Sequence, residues 1–526
     1  MKKIHIVIAL TALLSFSCDS FLEERPLDEL SSQQNFKEPN HAYNAVNSLY
    51  RNGVPQLFDG SHYGGAEAMI GNYMSGFFDN EYKGQEIHVQ HTQQLTLNGN
   101  NLSSYLGGIW DDLYSGISRA NNAIKYIPTT PGLAEAEAKK LLGEARFFRA
   151  YAYFYLVRMF GGVPLVTEPY ESLENLYINR ASVADVYALI EEDLKFAVNE
   201  AGLATTSMVT NGKRVTKGAA ATLLADVYLN MSGFPLQANR YADAAAMAKS
   251  VIESGTYSLE QHEMSGGNVV MENSAYNKLR KSDASATEYV FFHEYAVGIA
   301  ETIYPVWSYT TSKPSTVKYA ITNGAYAPRN QFLWGYDNAN DLRAQEKQYY
   351  HSSIVINGET KTFPPTPYFW HDDQALFETA SSGKDIEMYG YADVLLIAAE
   401  AIAKSQGVTA EAAEYLTQVR SRAYWKSNAA TIKSGLQGLS ANDFVEEVWK
   451  ERYRELVFEF KLWFDMIRTR KYPETTQNGN GEITFVDLIG HTNTWGKTFE
   501  EKHLLFPISE LERQRNKNLG KQNPGY

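Results

Sequence analysis

The sequence predicts a mainly α fold in which helical hairpins support a long irregular, loop-rich region with minor β structure. Two observations carry this. Apolar residues recur at three- and four-residue steps on both flanks of the chain but lose that period over residues 258–387, and the periodic stretches are bounded by capping pairs and Gly or Pro breaks. A third observation sets the scale: 44% apolar side chains over 526 residues suffice to bury a large core.

The elements follow in order. Lys2 and Lys3 precede the apolar run Ile4 to Phe16, which has signal-peptide length and is too short to span a bilayer comfortably. It ends in Leu14-Ser15-Phe16-Ser17-Cys18, a pattern that resembles a bacterial lipobox, and Cys18 is the only cysteine. Cleavage before Cys18 would leave a lipidated amino terminus, and Asp19, Glu23 and Glu24 resemble an acidic signal that routes such chains to the outer face. The expectation is a signal peptide over 1–17 and a tethered mature chain.

Ala134 to Phe160 carries one long apolar stripe from Ala138 to Met159 before Gly161-Gly162-Val163-Pro164 stops it. Ser182 with Asp185 caps a second helix through Ala197. Thr216 and Lys217 open Ala219 to Leu229, Gly233-Phe234-Pro235 breaks it, and Tyr241 to Ile252 completes a hairpin. Such pairs, with small residues at the contact, resemble tetratricopeptide-like units that stack to share a core. After the irregular middle, helices are predicted over Ala392–Lys404, Ala410–Ala423 and Asn442–Arg470, the last capped by Ser440 with Asp443. Helices on both sides of the loops favour one interwoven domain over 18–526, divided near 257 and 388.

The formal net charge of -13 argues against a nucleic-acid partner. The acidic residues form no constellation that singles out a hydrolytic pair, so no catalytic residue is assigned. His88 and His91 lack the partners of a zinc motif, and Gly490 to Thr498 misses the phosphate-loop spacing by one residue. Asp337 to Asp341 has oxygen ligands suited to calcium or, equally, to a polar turn. No metal and no cofactor is assigned.

A family resemblance covers Cys18 to Tyr526. Its strongest part is Glu144-Ala145-Arg146-Phe147-Phe148-Arg149-Ala150-Tyr151-Ala152-Tyr153-Phe154 running to Gly161-Gly162-Val163-Pro164-Leu165. Further segments are Trp110 to Tyr114, Lys217 to Leu229, Glu451-Arg452 through Trp463-Phe464-Asp465, Leu505 to Ile508 and Gln522 to Tyr526. In these the chain resembles the SusD/RagB family of outer-membrane nutrient-binding lipoproteins, departing from it at Phe460, where Gly is frequent, and at Gly390, where Arg is. The resemblance implies a cell-surface binding protein, not an enzyme, that captures oligo- or polysaccharide for a SusC-like TonB-dependent transporter. Peptide capture, as in some RagB-like members, and a secreted glycan hydrolase stand as alternatives. The charges at Arg146, Arg149, Asp226, Arg452, Glu455 and Glu459 fit helical spacing and are read as structural ion pairs.

Sugar rings need flat aromatics for their C–H faces and polar partners for their hydroxyls. The irregular middle offers Trp307, Tyr309, Trp334 and Tyr336 beside Asn330, Gln331, Asn338 and Arg343, and an earlier loop offers Tyr73, Phe78 and Tyr82. The family resemblance implies that these loops converge. The expected ligand platform is Tyr82, Trp307 and Trp334, with Tyr309 and Tyr336 beside them.

Overall fold

The computed structural model describes residues 36–50, 66–170, 176–281, 287–320 and 324–526. Cys18 and the leader lie outside the described residues.

The first half is helical: α1 (Pro39–Asn47), α2 (Ala66–Ser75), α3 (Ile87–Gln93), α4 (Ser103–Tyr126), α5 (Glu135–Phe160), α6 (Val183–Asn199), α7 (Lys217–Ser232), α8 (Tyr241–Glu253) and the short α9 (Ala275–Lys281). Local chemistry sets their ends. Ser182 and Thr216 accept the backbone N–H of Asp185 and Ala219, satisfying donors that a helix start leaves open. From α4 to α8 each helix packs on the next, and α8 packs on α10 (Tyr391–Gln406), which follows the irregular region and packs in turn on α11 (Ala410–Ala423). Two helices are buried all round: α7 from Ala219 to Ser232 and α10 from Tyr391 to Ala403. Their alanines let neighbouring backbones approach closely, which is why an amphipathic stripe is weak in both.

The C-terminal part continues with α12 (Ala429–Gln437), α13 (Ala441–Glu455) and α14 (Leu462–Thr469). The single helix expected over Asn442–Arg470 is therefore two. Phe460 takes a left-handed φ of 56° and turns the chain between them, at the position where the resembled family frequently has glycine. Ring contacts with Trp370 and Tyr326 hold it there.

Between α9 and α10 the described residues form short helical turns, such as Tyr304–Trp307 and Asn330–Leu333, and short antiparallel strand pairs. Strand β1 (Phe78–Asp79) pairs β3 (Ala327–Pro328), β2 (Tyr289–His293) pairs β6 (Ile386–Gly390), and β4 (Tyr350–Ile356) forms a hairpin with β5 (Glu359–Pro367). A further hairpin joins β7 (Lys471–Thr475) to β8 (Ile483–Asp487). Beneath these loops lies a second small core of Val306, Trp307, Tyr309, Val317, Ala325, Phe363, Ala375 and Leu376, apart from the main one.

The matched charges are structural, as expected. Arg149 makes a two-pronged contact with Asp193 at 2.7 and 2.8 Å, and Arg452 binds Asp393 at 2.6 Å and Asp465 at 2.8 Å. Arg422 joins Glu288 to Glu455 at 2.7 and 2.6 Å. Asp226 accepts the Tyr389 hydroxyl. Glu459 differs, because its Oε2 has no hydrogen-bond partner.

That difference has a pH signature. Burial, reinforced by Glu459 and Glu288, holds Glu387 well above the ordinary carboxyl range, and burial with Asp393 does the same to Glu459, against the attraction of Lys461. A Cβ at Gly390 would collide with the Glu387 carboxyl, so the departure at Gly390 makes room for this pair. Groups that keep protons in the folded chain but release them in the ordinary carboxyl range when unfolded lose stabilising effect as pH rises above that range. Glu459→Gln removes one such proton. Its melting temperature is expected to rise relative to the parent as pH goes from 5 to 8, measured by thermal melts across that range; parallel curves would disprove the assignment.

Candidate ligand-binding face

Three distant segments meet on one face. The first follows α2: Phe78 and Asp79 pair with Pro328 and Ala327, and Phe78 stacks on Tyr326 with ring centroids 4.0 Å apart. The loop is shaped by its own side chains. Asn80 accepts the Tyr82 N–H at 2.8 Å and donates to Glu86 at 2.6 Å, and Lys83 reaches back to Asp79 at 2.8 Å. Burial pushes Glu86 up to about 7, with the Asn80 bond opposing it.

The second segment is the middle of the chain. Glu81 accepts the Thr310 hydroxyl at 2.5 Å and the Thr311 N–H at 2.6 Å. Gly324, at φ +52°, faces the same carboxylate, where a Cβ would stand 2.9 Å from Glu81 Cγ. Arg329 N–H donates to the Phe77 carbonyl at 2.8 Å, which brings its guanidinium to the rim.

The third segment is the turn between Thr492 and Thr498. Asn493 donates to the Gln93 carbonyl at 3.1 Å and the Thr494 hydroxyl to Gly76, locking the turn against α2 and α3. This presents Trp495 half-buried, with the Arg329 guanidinium 3.9 Å and the Lys83 ammonium 4.3 Å from its ring centroid. The indole Nε1–H has no hydrogen-bond partner. Burial lowers Arg329 from its usual value, and Asp79 opposes that.

The face thus combines an exposed ring, Tyr82, a half-buried one, Trp495, two cations and threonine hydroxyls. Its two carboxylates, Asp79 and Glu81, are each engaged by neighbours, so neither is poised as a free acid or base.

Of the residues expected to form the platform, Tyr82 lies on this face at 37% exposure. Trp334 is half-buried at the end of the turn Asn330–Leu333 that follows Arg329. Trp307 is corrected: at 5% exposure its ring belongs to the small core, and its carbonyl accepts the Ala325 N–H. Tyr309 and Tyr336, each 1% exposed, are likewise interior, Tyr336 donating to the Arg454 carbonyl at 2.9 Å. Tyr73 and Phe78 are buried supports. Arg343 is a buried ion-pair member, not a hydroxyl partner. Gly490 to Thr498 reads in sequence only as a failed phosphate loop, which omits Trp495, although an aromatic among Asn493, Thr494, Gly496 and Lys497 is the available signal.

The histidine and aspartate motifs resolve as structure. His88 stacks on Tyr105, His91 contacts Thr96 and Asn101, and Asp337 accepts the N–H groups of Ala339 and Asn340 in its own turn.

Comparison with known proteins agrees with the architecture. The family model described as "SusD family" matches residues 237–526, and one described as "Starch-binding associating with outer membrane" matches residues 21–229. "SusD-like protein P2" of Formosa agariphila is 25% identical over 552 aligned positions, covering 100% of both chains. A SusD superfamily protein from Parabacteroides distasonis superposes with a TM-score of 0.78 at 30% identity, covering 93% of this chain and 99% of that one. Surface glycan-binding protein A from Bacteroides thetaiotaomicron, solved with laminarihexaose, gives 0.70 at 16% identity, covering 93% and 100%; at that identity it speaks to the fold.

Proposed function

The chain belongs to the SusD family, and from that premise we propose that it is a non-catalytic, cell-surface glycan-binding protein. In this reading Cys18 carries the lipid anchor at the outer membrane, the mature chain acts as one domain, and captured oligo- or polysaccharide passes to a SusC-like TonB-dependent transporter. The observation that carries the ligand class is the face around Trp495 and Tyr82. A sugar's apolar C–H surface packs on such rings, while the Lys83 and Arg329 cations beside Trp495 suit its hydroxyls. The laminarihexaose complex of the structural neighbour supports the same class.

The purified soluble chain is expected to bind a polysaccharide on a glycan array and to release no reducing ends from it. Trp495→Ala and Tyr82→Ala should each remove stacking worth about 1 to 3 kcal/mol, roughly tenfold or more in Kd by calorimetry. Release of reducing ends, binding of peptides in place of glycans, or unchanged affinity in both variants would overturn the reading.

A further inference from the structure

Behind the face, where the β4–β5 hairpin meets the small core, four aromatic side chains, three buried and Tyr368 half-buried, close around His351. The ring centroids of Tyr309, Phe363, Tyr368 and His371 lie 5.5, 5.0, 4.8 and 5.3 Å from that of His351. His351 is 1% exposed and His371 6%. Such a site should contain satisfied polar groups or none. Instead, neither ring nitrogen of His351, nor Nδ1 of His371, nor the Tyr309 hydroxyl has a hydrogen-bond partner. The Ser353 backbone lies near His351 but too poorly placed for a bond.

His371 is held as metal-binding histidines are held. One of its nitrogens, Nε2, is 2.9 Å from Asp373 Oδ1, which fixes the ring and leaves Nδ1 as the free ligand atom. The spacing also fits. A zinc ion about 2.0–2.1 Å from an imidazole nitrogen lies roughly 3.2 Å from the ring centroid, so two rings at a tetrahedral angle stand roughly 5.3 Å apart. The two imidazoles here are 5.3 Å apart with planes at 78°. Among the described residues no three His, Cys, Asp or Glu side chains converge at metal distance, so the third group must be of another kind. Tyr309, 5.5 Å from one imidazole and 6.1 Å from the other, completes the triangle.

We propose that His351, His371 and Tyr309 form a site for a divalent d-block cation of the zinc type, with Asp373 as the positioning carboxylate. Neutral imidazole nitrogen selects this class over calcium or magnesium, which require oxygen sets. Arg280, which donates to the His371 carbonyl at 3.0 Å, and Lys347 oppose a cation, and Asp373 compensates in part. Tyr309 directly precedes Thr310 and Thr311, the residues that clasp Glu81, so an ion here would stiffen the inner side of the ligand face.

The test uses the full chain without a polyhistidine tag, stripped with chelator and titrated with zinc chloride by calorimetry and with cobalt(II) by visible absorption. The expected result is about one ion per chain and tetrahedral cobalt bands. Asp373→Asn, which alters an exposed carboxylate and leaves the core packing intact, should weaken zinc by roughly 10–100-fold, and His351→Gln or His371→Gln by more. The proposal is overturned if the parent takes up no zinc. It is equally overturned if Asp373→Asn and the folded histidine variants bind zinc like the parent, or if crystals soaked in zinc show only a water between the rings.

Discussion

Arg343→Met is expected to cost about 3–5 kcal/mol of folding stability in chemical denaturation. Its guanidinium is fully buried and binds Asp341 at 2.7 Å, Glu451 at 2.9 Å and Glu455 at 2.6 Å. Methionine fills the volume and leaves three carboxylates short of a cation in a place water cannot reach. Arg420 and Arg422 also serve Glu451 and Glu455, but among the described residues Asp341 pairs with no second cation. Lysine should not rescue it, because a point charge cannot reproduce the fork that meets Asp341 through both Nε and Nη2. Adding Asp341→Asn to Arg343→Met should return part of the loss. A cost below about 1 kcal/mol would mean that the network is no more than a surface-like set of pairs.

Trp307→Ala is expected to be nearly as damaging to stability while leaving recognition comparatively intact. The ring sits among Val306, Tyr309, Val317, Phe363 and Leu376, and removing a buried tryptophan costs roughly 3–5 kcal/mol. Trp495→Ala should do the reverse, with little change in melting temperature and a tenfold or greater loss of glycan affinity. Calorimetry and thermal melts on the same two variants read both axes. If Trp307→Ala melts like the parent but loses glycan binding, the ring reaches ligand and its interior placement is wrong.

These two tryptophans show where the sequence stops being informative. Helix starts were legible because their causes are local: a hydroxyl at Ser182, Thr216 or Ser440 bonds an N–H three residues on. The stop at Phe460 was not, since a bulky left-handed residue is held by rings from residues 326 and 370, far along the chain. Loss of helical period around Trp307 marked an irregular region, but not the short turn Tyr304–Trp307 within it nor the second core beneath it. Period reports the backbone; it does not report which side of a loop is wet. Tyr82 was legible as a candidate only through its loop-like segment together with the family resemblance, which implies that this loop meets the middle of the chain. Trp495 needed the third dimension, because its partners Lys83 and Arg329 come from elsewhere in the chain.

The turn that presents Trp495 also ties the two ends of the chain together. Asn493 bonds the carbonyls of Met74 and Gln93, Trp463 N–H bonds Asn72, and Tyr472 bonds Ser75 across separations of about four hundred residues. Contacts so distant in sequence must close long loops before they contribute, which slows folding. During synthesis α2 and α3 emerge early, and α3 meets the start of α4 through His88 and Tyr105, but the bonds of α2 to α14 and the β7–β8 hairpin must wait until those elements exist. The ligand face is thus among the last parts to form. A nascent chain that has not reached residue 493 lacks the Trp495 side of this face.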